Sequence, residues 1–282
     1  MTLEPLAIVL VLVSALMHAG WNLIAKIGGD RLVAMAVMKV PNTFVALVVL
    51  ILAGVPARES WPFLLASAAV NCVYFFFLIK AYRGDLSLAY PVARGVAPLL
   101  VLVLSILAAH EMPTPIGVAG VLLISSAVLA LAVRRGGSRL HYETLLWAGG
   151  VGLTIALYTV IDGLGGRRSG NVIGYVAILN ILTGVFVCST AYARRGHALI
   201  ASGLRAYWRQ GLLGGTLMLF AYMIVVYALT IAPMAQIAAL RESSVIFAAI
   251  LGVIVLHEPF GTRRIVASII LAMGIALLAL GR

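Results

Sequence analysis

Near its C-terminus the chain reads VLHEPFGT, from Val255 to Thr262, and before its middle it reads AAHEMPTP, from Ala108 to Pro115. In both, a long apolar run stops at a His-Glu pair with a proline close behind, and another apolar run begins almost at once. His110 and His257 lie 147 residues apart. Sliding the chain by that amount also lays Arg94 on Arg241 and the apolar runs flanking the first turn on those flanking the second. An internal repeat is sought before single elements because it fixes the architecture of the whole chain.

The composition says what kind of element is repeated. Of 282 residues, 63% are hydrophobic and 10% charged, with a mean hydropathy of +1.12; soluble domains carry about 25% charged residues. The chain reads as a polytopic membrane protein. A helix needs about 20 mostly apolar residues to cross the hydrocarbon. Breaking the sequence at polar, Gly and Pro clusters predicts ten spans, at 5–25, 32–53, 61–80, 87–108, 114–133, 143–163, 171–193, 210–230, 234–256 and 262–280. No Lys or Arg precedes the first, which therefore reads as a retained span and not a signal peptide. Cys72 and Cys188 fall inside apolar runs and read as small packing residues. The expected fold is an all-α membrane protein of two five-helix repeats, 1–137 and 138–282. Because five is odd, the second copy enters the membrane from the opposite side, the inverted repeat of secondary transporters.

Charge tests this independently. A net charge of +11 would suggest nucleic acid in a soluble protein; here it reads as basic cytoplasmic loops, with no nucleic-acid partner. In or beside the connections after odd-numbered spans lie Lys26, Arg31, Lys80, Arg83, Arg134, Arg135, Arg139, Arg194, Arg195, Arg205, Arg209, Arg263 and Arg264; the other side holds Arg58, Arg167, Arg168 and Arg282. Thirteen against four places both termini outside the cytoplasm. The remaining three cations, Lys39, Arg94 and Arg241, lie within spans.

Ionisable residues inside spans are the first candidates for function, since a charge near the bilayer centre costs at least about 2.5 kcal/mol and needs a wet cavity or a partner. They are His18, Lys39, Arg94, Arg241 and Glu242, with Asp162 near the end of span six. Arg94 and Arg241 sit about 10 Å inside their helices by helical rise, where snorkelling to the interface is one reading. The other is a substrate or gating site: the two are repeat mates, and each lies in a stretch expected to be irregular, Tyr90 to Gly95 around Pro91, and Arg241-Glu242-Ser243-Ser244. His18-Ala19-Gly20-Trp21-Asn22 forms a polar and aromatic cluster, for which a satisfied helix contact stands beside a proton relay. Lys39, just before Pro41 and Asn42, reads as a hinge or as a snorkelling lysine in a kinked helix. The glutamates of the two His-Glu turns read as gate or proton sites, or as hydrogen-bonding groups holding a tight hairpin; their boundary position favours the latter.

Glu111, Thr114, Gly117 and Gly120, then Glu258, Gly261, Thr262, Ala267 and Gly274, form a glutamate–turn–small-residue pattern that resembles the EamA-type repeat of the drug/metabolite transporter superfamily. Within it the chain looks most like the YddG-type exporters of aromatic and other amino acids. Gly120 aligns with Ala267, and Ala127 with Gly274, so each copy keeps only part of the pattern. The resemblance implies ten helices in two repeats, with spans one, three, four, six, eight and nine enclosing a central cavity. By helix membership this brings forward Tyr74, Tyr158, Tyr222 and Tyr227.

The leading expectation is a secondary transporter exporting amino acids and related small metabolites across a bacterial-type inner membrane by alternating access. Its partners would be a small-molecule substrate and membrane lipid, and a monomer is one admissible state. Drug or other metabolite efflux is the alternative, and a channel or membrane-embedded enzyme is disfavoured: no HExxH, Walker or paired-carboxylate motif lies on a span, so no catalytic residue, metal or cofactor is expected. The candidate substrate or gating set is His18, Trp21, Asn22, Tyr74, Arg94, Tyr158, Asp162, Tyr227, Arg241, Glu242, Ser243 and Ser244. The charge asymmetry makes a direct prediction. Reporters fused after Arg282 and within the Arg194–Arg209 connection should be active on opposite sides of the membrane; a C-terminal reporter active only in the cytoplasm would refute the topology.

Overall fold

The structure, a computed structural model, describes residues 3–25, 30–81, 86–132, 142–256 and 262–280. In chain order the helices are α1 (Pro5–Ala25), α2 (Arg31–Ala53), α3 (Trp61–Ala81), α4 (Leu86–Ala109), α5 (Pro115–Ala130), α6 (Tyr142–Arg168), α7 (Val172–Ile231), α8 (Met234–Leu240), α9 (Ser244–Leu256) and α10 (Thr262–Leu280), with single 3-10 turns at Arg58–Ser60 and Arg241–Ser243. Among the described residues there is no strand. Seven helical stretches are long and apolar enough to cross a membrane, and α5 and the Ile265–Leu280 part of α10 are shorter apolar helices. Large apolar side chains such as Phe44, Ile51, Leu52, Leu107 and Ile254 point outward, as they do where the solvent is hydrocarbon.

Two expected spans, 171–193 and 210–230, are joined in α7 by residues that stay largely helical. A straight helix of 60 residues would be about 90 Å long, three times the roughly 30 Å of hydrocarbon. The helix is interrupted at Gly196 (φ 77°, ψ 163°) and Tyr207 (φ −125°, ψ 25°), and glycine takes that positive φ without steric cost. The contacts on α2 show that the chain doubles back. Along the first arm, 172–195, Asn171 donates to the Ala53 and Gly54 carbonyls (2.7 and 3.0 Å). Lys39 donates to Asn180 Oδ1 and Thr183 Oγ1 (3.3 and 3.4 Å), and Arg195 reaches Asp30 at the start of α2 (2.7 Å). That order is antiparallel to α2. The second arm, 208–231, then returns along the same helix, with Gly211 against Val37, Gly215 against Met38, and Asn42 Nδ2 donating to the Gly215 carbonyl at 2.8 Å.

The close approach on α2 has a local cause. Pro41 lacks an N–H, so the carbonyl of Val37 one turn earlier has no helical donor. Gly211 closes on that oxygen; a Cβ there would stand 2.5 Å from it. Lys39 does not snorkel: it is buried between α2 and the first arm, so that reading is overturned. Its ammonium meets neutral oxygens because Asn180 and Thr183 present them about one helical turn apart. At the mouth of α2, Asp30 caps the helix by accepting from the Leu32 and Val33 amides (2.9 and 3.2 Å). Partial burial alone would raise its carboxyl, but those amides and Arg195 outweigh it and hold it below the ordinary aspartate range.

The helix around Arg94 corrects another expectation. α4 runs unbroken from Leu86 to Ala109 through both Pro91 and Pro98, so Tyr90 to Gly95 is regular helix. Each proline leaves the carbonyl four residues earlier, Ser87 and Arg94, without its helical donor, and the helix continues past both. The stretch Arg241–Ser243, by contrast, is a single 3-10 turn between α8 and α9. The rest of the packing joins α6 to α3 and α4, α1 to α7 and α9, and α5 to α10. In the last pair, a Cβ on Gly120 or Gly274 would stand 3.3 Å from the other's carbonyl oxygen.

Over-packing a tight backbone contact costs about 1–3 kcal/mol. Gly211→Val and Gly215→Val should each therefore lower the thermal unfolding temperature of the purified protein in detergent, whereas Gly149→Val, with open space around it, should leave it nearly unchanged. Equal losses at all three would contradict the packing on α2.

Candidate functional site

Where α8 ends, the chain makes a 3-10 turn at Arg241–Ser243 before α9 begins at Ser244. The helix is enclosed on all sides here: every residue from 232 to 244 is buried, so Arg241, Glu242, Ser243 and Ser244 all lie in the protein interior although they point in different directions. Opposite stands Arg94 of α4. Its Nε donates to Glu242 Oε2 at 2.9 Å, and Nη2 donates to Ser244 Oγ at 3.1 Å. Arg94 is 6% exposed and Glu242 1%, so this is a buried ion pair and snorkelling is excluded for Arg94. In such a place the desolvation of each charge is offset only by the partner and by further hydrogen bonds.

Arg241 is also buried, yet its Nε, like the Ser243 Oγ, has no hydrogen-bond partner among the described residues. A buried guanidinium with an unsatisfied donor is costly. Its charge reaches the carboxyl groups of Glu242 and Asp162 without a hydrogen bond to either. α1 packs against this turn and carries His18 and Trp21, whose rings meet edge-on with centroids 4.8 Å apart. Asn22 is turned to its own helix, donating to the His18 carbonyl at 2.8 Å.

A ladder of phenols leads away from the arginines. Tyr74 of α3 meets Tyr158 of α6 at 6.1 Å, and Tyr158 meets Tyr222 of α7 at 6.2 Å, both edge-on. The Tyr222 hydroxyl donates to Asp162 Oδ2, and the Tyr175 hydroxyl to Asp162 Oδ1 at 2.9 Å. Asp162 is 0% exposed. Tyr227 stands apart, 43% exposed on the second arm of α7, outside both clusters. Positions 222 and 227 differ by about 140° around a helix of 3.6 residues per turn, so the face that carries Tyr222 inward leaves Tyr227 on another.

A third cluster closes the end of the helices near the first His-Glu turn. His110 takes the left-handed conformation on which helices commonly end (φ 52°), and the Glu111 amide donates back to the Ser105 carbonyl at 3.2 Å. That swings Glu111 outward, where Oε2 accepts the Met234 amide at the start of α8 (2.8 Å) and Oε1 accepts from Arg167 (2.5 Å). Arg167 also donates to the Leu229 and Ala232 carbonyls (3.1 and 3.3 Å). Glu111 thus holds a helix end, the role its boundary position favoured, and it also clamps α4, α6, α7 and α8 together. His257 and Glu258 lie outside the described residues.

The arginine site is occluded. A cavity of about 290 Å³ lies elsewhere, between α1, α2 and the link of α7, lined by Val33, Val37, Met38, Leu199 and Tyr207. It is mostly apolar and shares no residue with the charged cluster, so we assign the site by its chemistry. Sequence reasoning brought Arg94, Glu242 and Ser244 forward without seeing that they pair, and it passed over Arg167 and Tyr175. No sequence signal links positions 94 and 242 or 111 and 167; only the fold does.

Removing one partner of a buried pair costs roughly 3–5 kcal/mol because the other charge is left alone. Arg94→Ala and Glu242→Ala should therefore each lower the melting temperature strongly, and the double variant should lose less than the sum of the two single losses. Strict additivity of the three melting shifts would show that the pair is not coupled.

No curated protein matches the chain. A crystal structure 16% identical in sequence superposes with a TM-score of 0.76, covering 97% of this chain and 96% of its own; the likeness is one of fold. Residues 143–280 match the model of the EamA-like transporter family. Together with the long apolar helices, this makes the chain an integral membrane protein whose second half is similar to the EamA-like transporters of small solutes.

Proposed function

We propose that the protein is a secondary transporter that exports amino acids, aromatic and other apolar ones first, by alternating access between two inverted five-helix repeats in an inner membrane. The observation that carries the substrate class is Arg241. It is a buried guanidinium with an unsatisfied Nε, at a 3-10 turn within a membrane helix. A substrate carboxylate would satisfy it through a charge-assisted hydrogen bond. Edge-on phenols beside it, from Tyr74 to Tyr222, suit an apolar or aromatic side chain. Arg94, already engaged by Glu242, serves as the lock on the other repeat.

Several features support ten spans in two related halves. Counting the two arms of α7 as spans seven and eight, and α8 with α9 as span nine, the main contacts survive exchange of span n with n + 5. α4 on α6 corresponds to α9 on α1, α3 on α6 to the second arm of α7 on α1, and α2 pairs with the first arm as α5 pairs with α10. The Glu111–Arg167 clamp supports alternating access. It holds four helices at one face, and the position 147 residues before Arg167 is Gly20, which has no side chain to make a matching bond. The similarity to YddG-type exporters fits the same substrate class. Efflux of other carboxylate-bearing metabolites is the second reading, favoured by the same guanidinium; cationic drugs are disfavoured because Glu242 is occupied.

The test is counterflow in proteoliposomes with a panel of amino acids and their decarboxylated amines. Arg241→Ala should weaken apparent affinity for L-phenylalanine by roughly tenfold or more, the worth of a hydrogen bond to a charged group, with folded yield maintained. Phenethylamine, which lacks the carboxylate, should be a poor substrate of both proteins. Wild-type transport by the Arg241→Ala variant would remove the arginine from the site, and no counterflow with any amino acid would overturn the substrate class.

A further inference from the structure

Nine carboxylate side chains occur in the sequence. Among the described residues the fully buried ones are Glu242 and Asp162, and their surroundings differ. Glu242 is held by the Arg94 guanidinium. Asp162 is fully buried, and its two oxygens accept from the neutral hydroxyls of Tyr175 and Tyr222, with no guanidinium or ammonium in hydrogen-bond contact among the described residues. Ser67 of α3 lies within hydrogen-bonding reach on a third side.

The difference matters for protonation. Protonating a carboxylate paired with a guanidinium leaves that cation buried without its counter-charge, which is costly. A phenol both donates and accepts. When Asp162 carries a proton on one oxygen, that O–H can donate to one phenol oxygen once the phenol's hydroxyl has rotated, while the other carboxyl oxygen keeps accepting from the second phenol. Protonation of Asp162 thus breaks no ion pair among the described residues. We propose that Asp162 is a reversible proton-binding site whose occupancy sets the transport rate, an inference that rests on the transporter reading above.

Its position explains how one proton would be felt elsewhere. Asp162 stands on α6 and joins both arms of α7, through Tyr175 on the first and Tyr222 on the second. The groups that face it are few. α3 brings Ser67, which does not titrate; α7 brings Tyr175 and Tyr222; the 3-10 turn before α9 brings the charge of Arg241 at longer range. Tyr158, one turn away on α6, touches Tyr222. Arg94 of α4 is engaged by Glu242, and Arg167 farther along α6 is engaged by Glu111. The 3-10 turn before α3 carries Arg58 and Glu59, both exposed, and α8 carries no titratable residue. Neutralising Asp162 therefore removes the negative charge that reaches Arg241 and loosens a joint between α6 and two membrane-crossing arms.

Two measurements on the purified full-length protein in vesicles test this. Infrared pH titration of wild type minus Asp162→Asn should show one carboxylic-acid carbonyl band that forms on acidification. Exchange of L-phenylalanine, with equal pH on both sides, should vary several-fold with pH in wild type and become nearly flat in Asp162→Asn, whatever its absolute rate. Tyr222→Phe keeps the carboxylate and should displace the pH at which the band is half-formed, which covers the case of an unfolded Asn variant. A difference spectrum without the band, an unmoved midpoint in Tyr222→Phe, or the same pH profile in Asp162→Asn would each overturn the proposal. Failure of any amino acid to exchange would instead overturn the substrate reading, and the infrared result would still decide the proton site.

Discussion

A buried guanidinium needs a counter-charge and further hydrogen bonds to offset its desolvation, and the pairing of Arg94 with Glu242 and Ser244 supplies them. Much of the interior is arranged around it. Glu242 can be met by α4 because the helical stretch that carries it is enclosed on all sides, with every residue from 232 to 244 buried. The four polar side chains of Arg241, Glu242, Ser243 and Ser244 point in different directions and still lie inside the protein. Glu111 holds the start of α8 from the end of α4 by accepting the Met234 amide.

The two halves carry matched residues in unmatched roles. Arg94 lies in a helix that continues through two prolines and finds a carboxylate; Arg241 lies in a 3-10 turn and has an unsatisfied nitrogen. Glu111 has Arg167, while the place 147 residues before Arg167 is Gly20. The clamp of charge-assisted bonds holds one end of the bundle, and the cavity of about 290 Å³ lies by the link of α7.

Rigidity and mobility are distributed by the same chemistry. Around α2, glycines at 211 and 215 let backbone meet backbone, and Lys39, Asn42 and Asn171 fill the polar gaps with hydrogen bonds. Such contacts favour one arrangement. The phenol ladder from Tyr74 to Tyr222 is held mainly by edge-on ring contacts, each worth about 0.5–1.5 kcal/mol, and it ends on a carboxylate that two neutral hydroxyls share. Rearrangement costs less there than at the arginine pair.

Apolar run length, loop charge and the spacing of the two His-Glu turns made an all-helical membrane protein legible from sequence, because lipid forces each spanning segment to satisfy its own backbone as a helix. The rarity of charge inside spans likewise exposed Arg94, Asp162, Arg241 and Glu242, since each must have a reason to be there. What each residue meets was not legible. Spans 171–193 and 210–230 could be counted, but not that both lie on α2. Pro91 suggested a broken helix where α4 is continuous, because losing one backbone bond does not end a helix whose other contacts hold it. The candidate set held Tyr227 and not Tyr222, yet it is Tyr222 that bonds Asp162. Local propensity and solvent preference are properties of a segment, so sequence determined the elements and their chemistry; ion pairs between residues 94 and 242 or 111 and 167 depend on distances across the bundle, and only tertiary packing decided those.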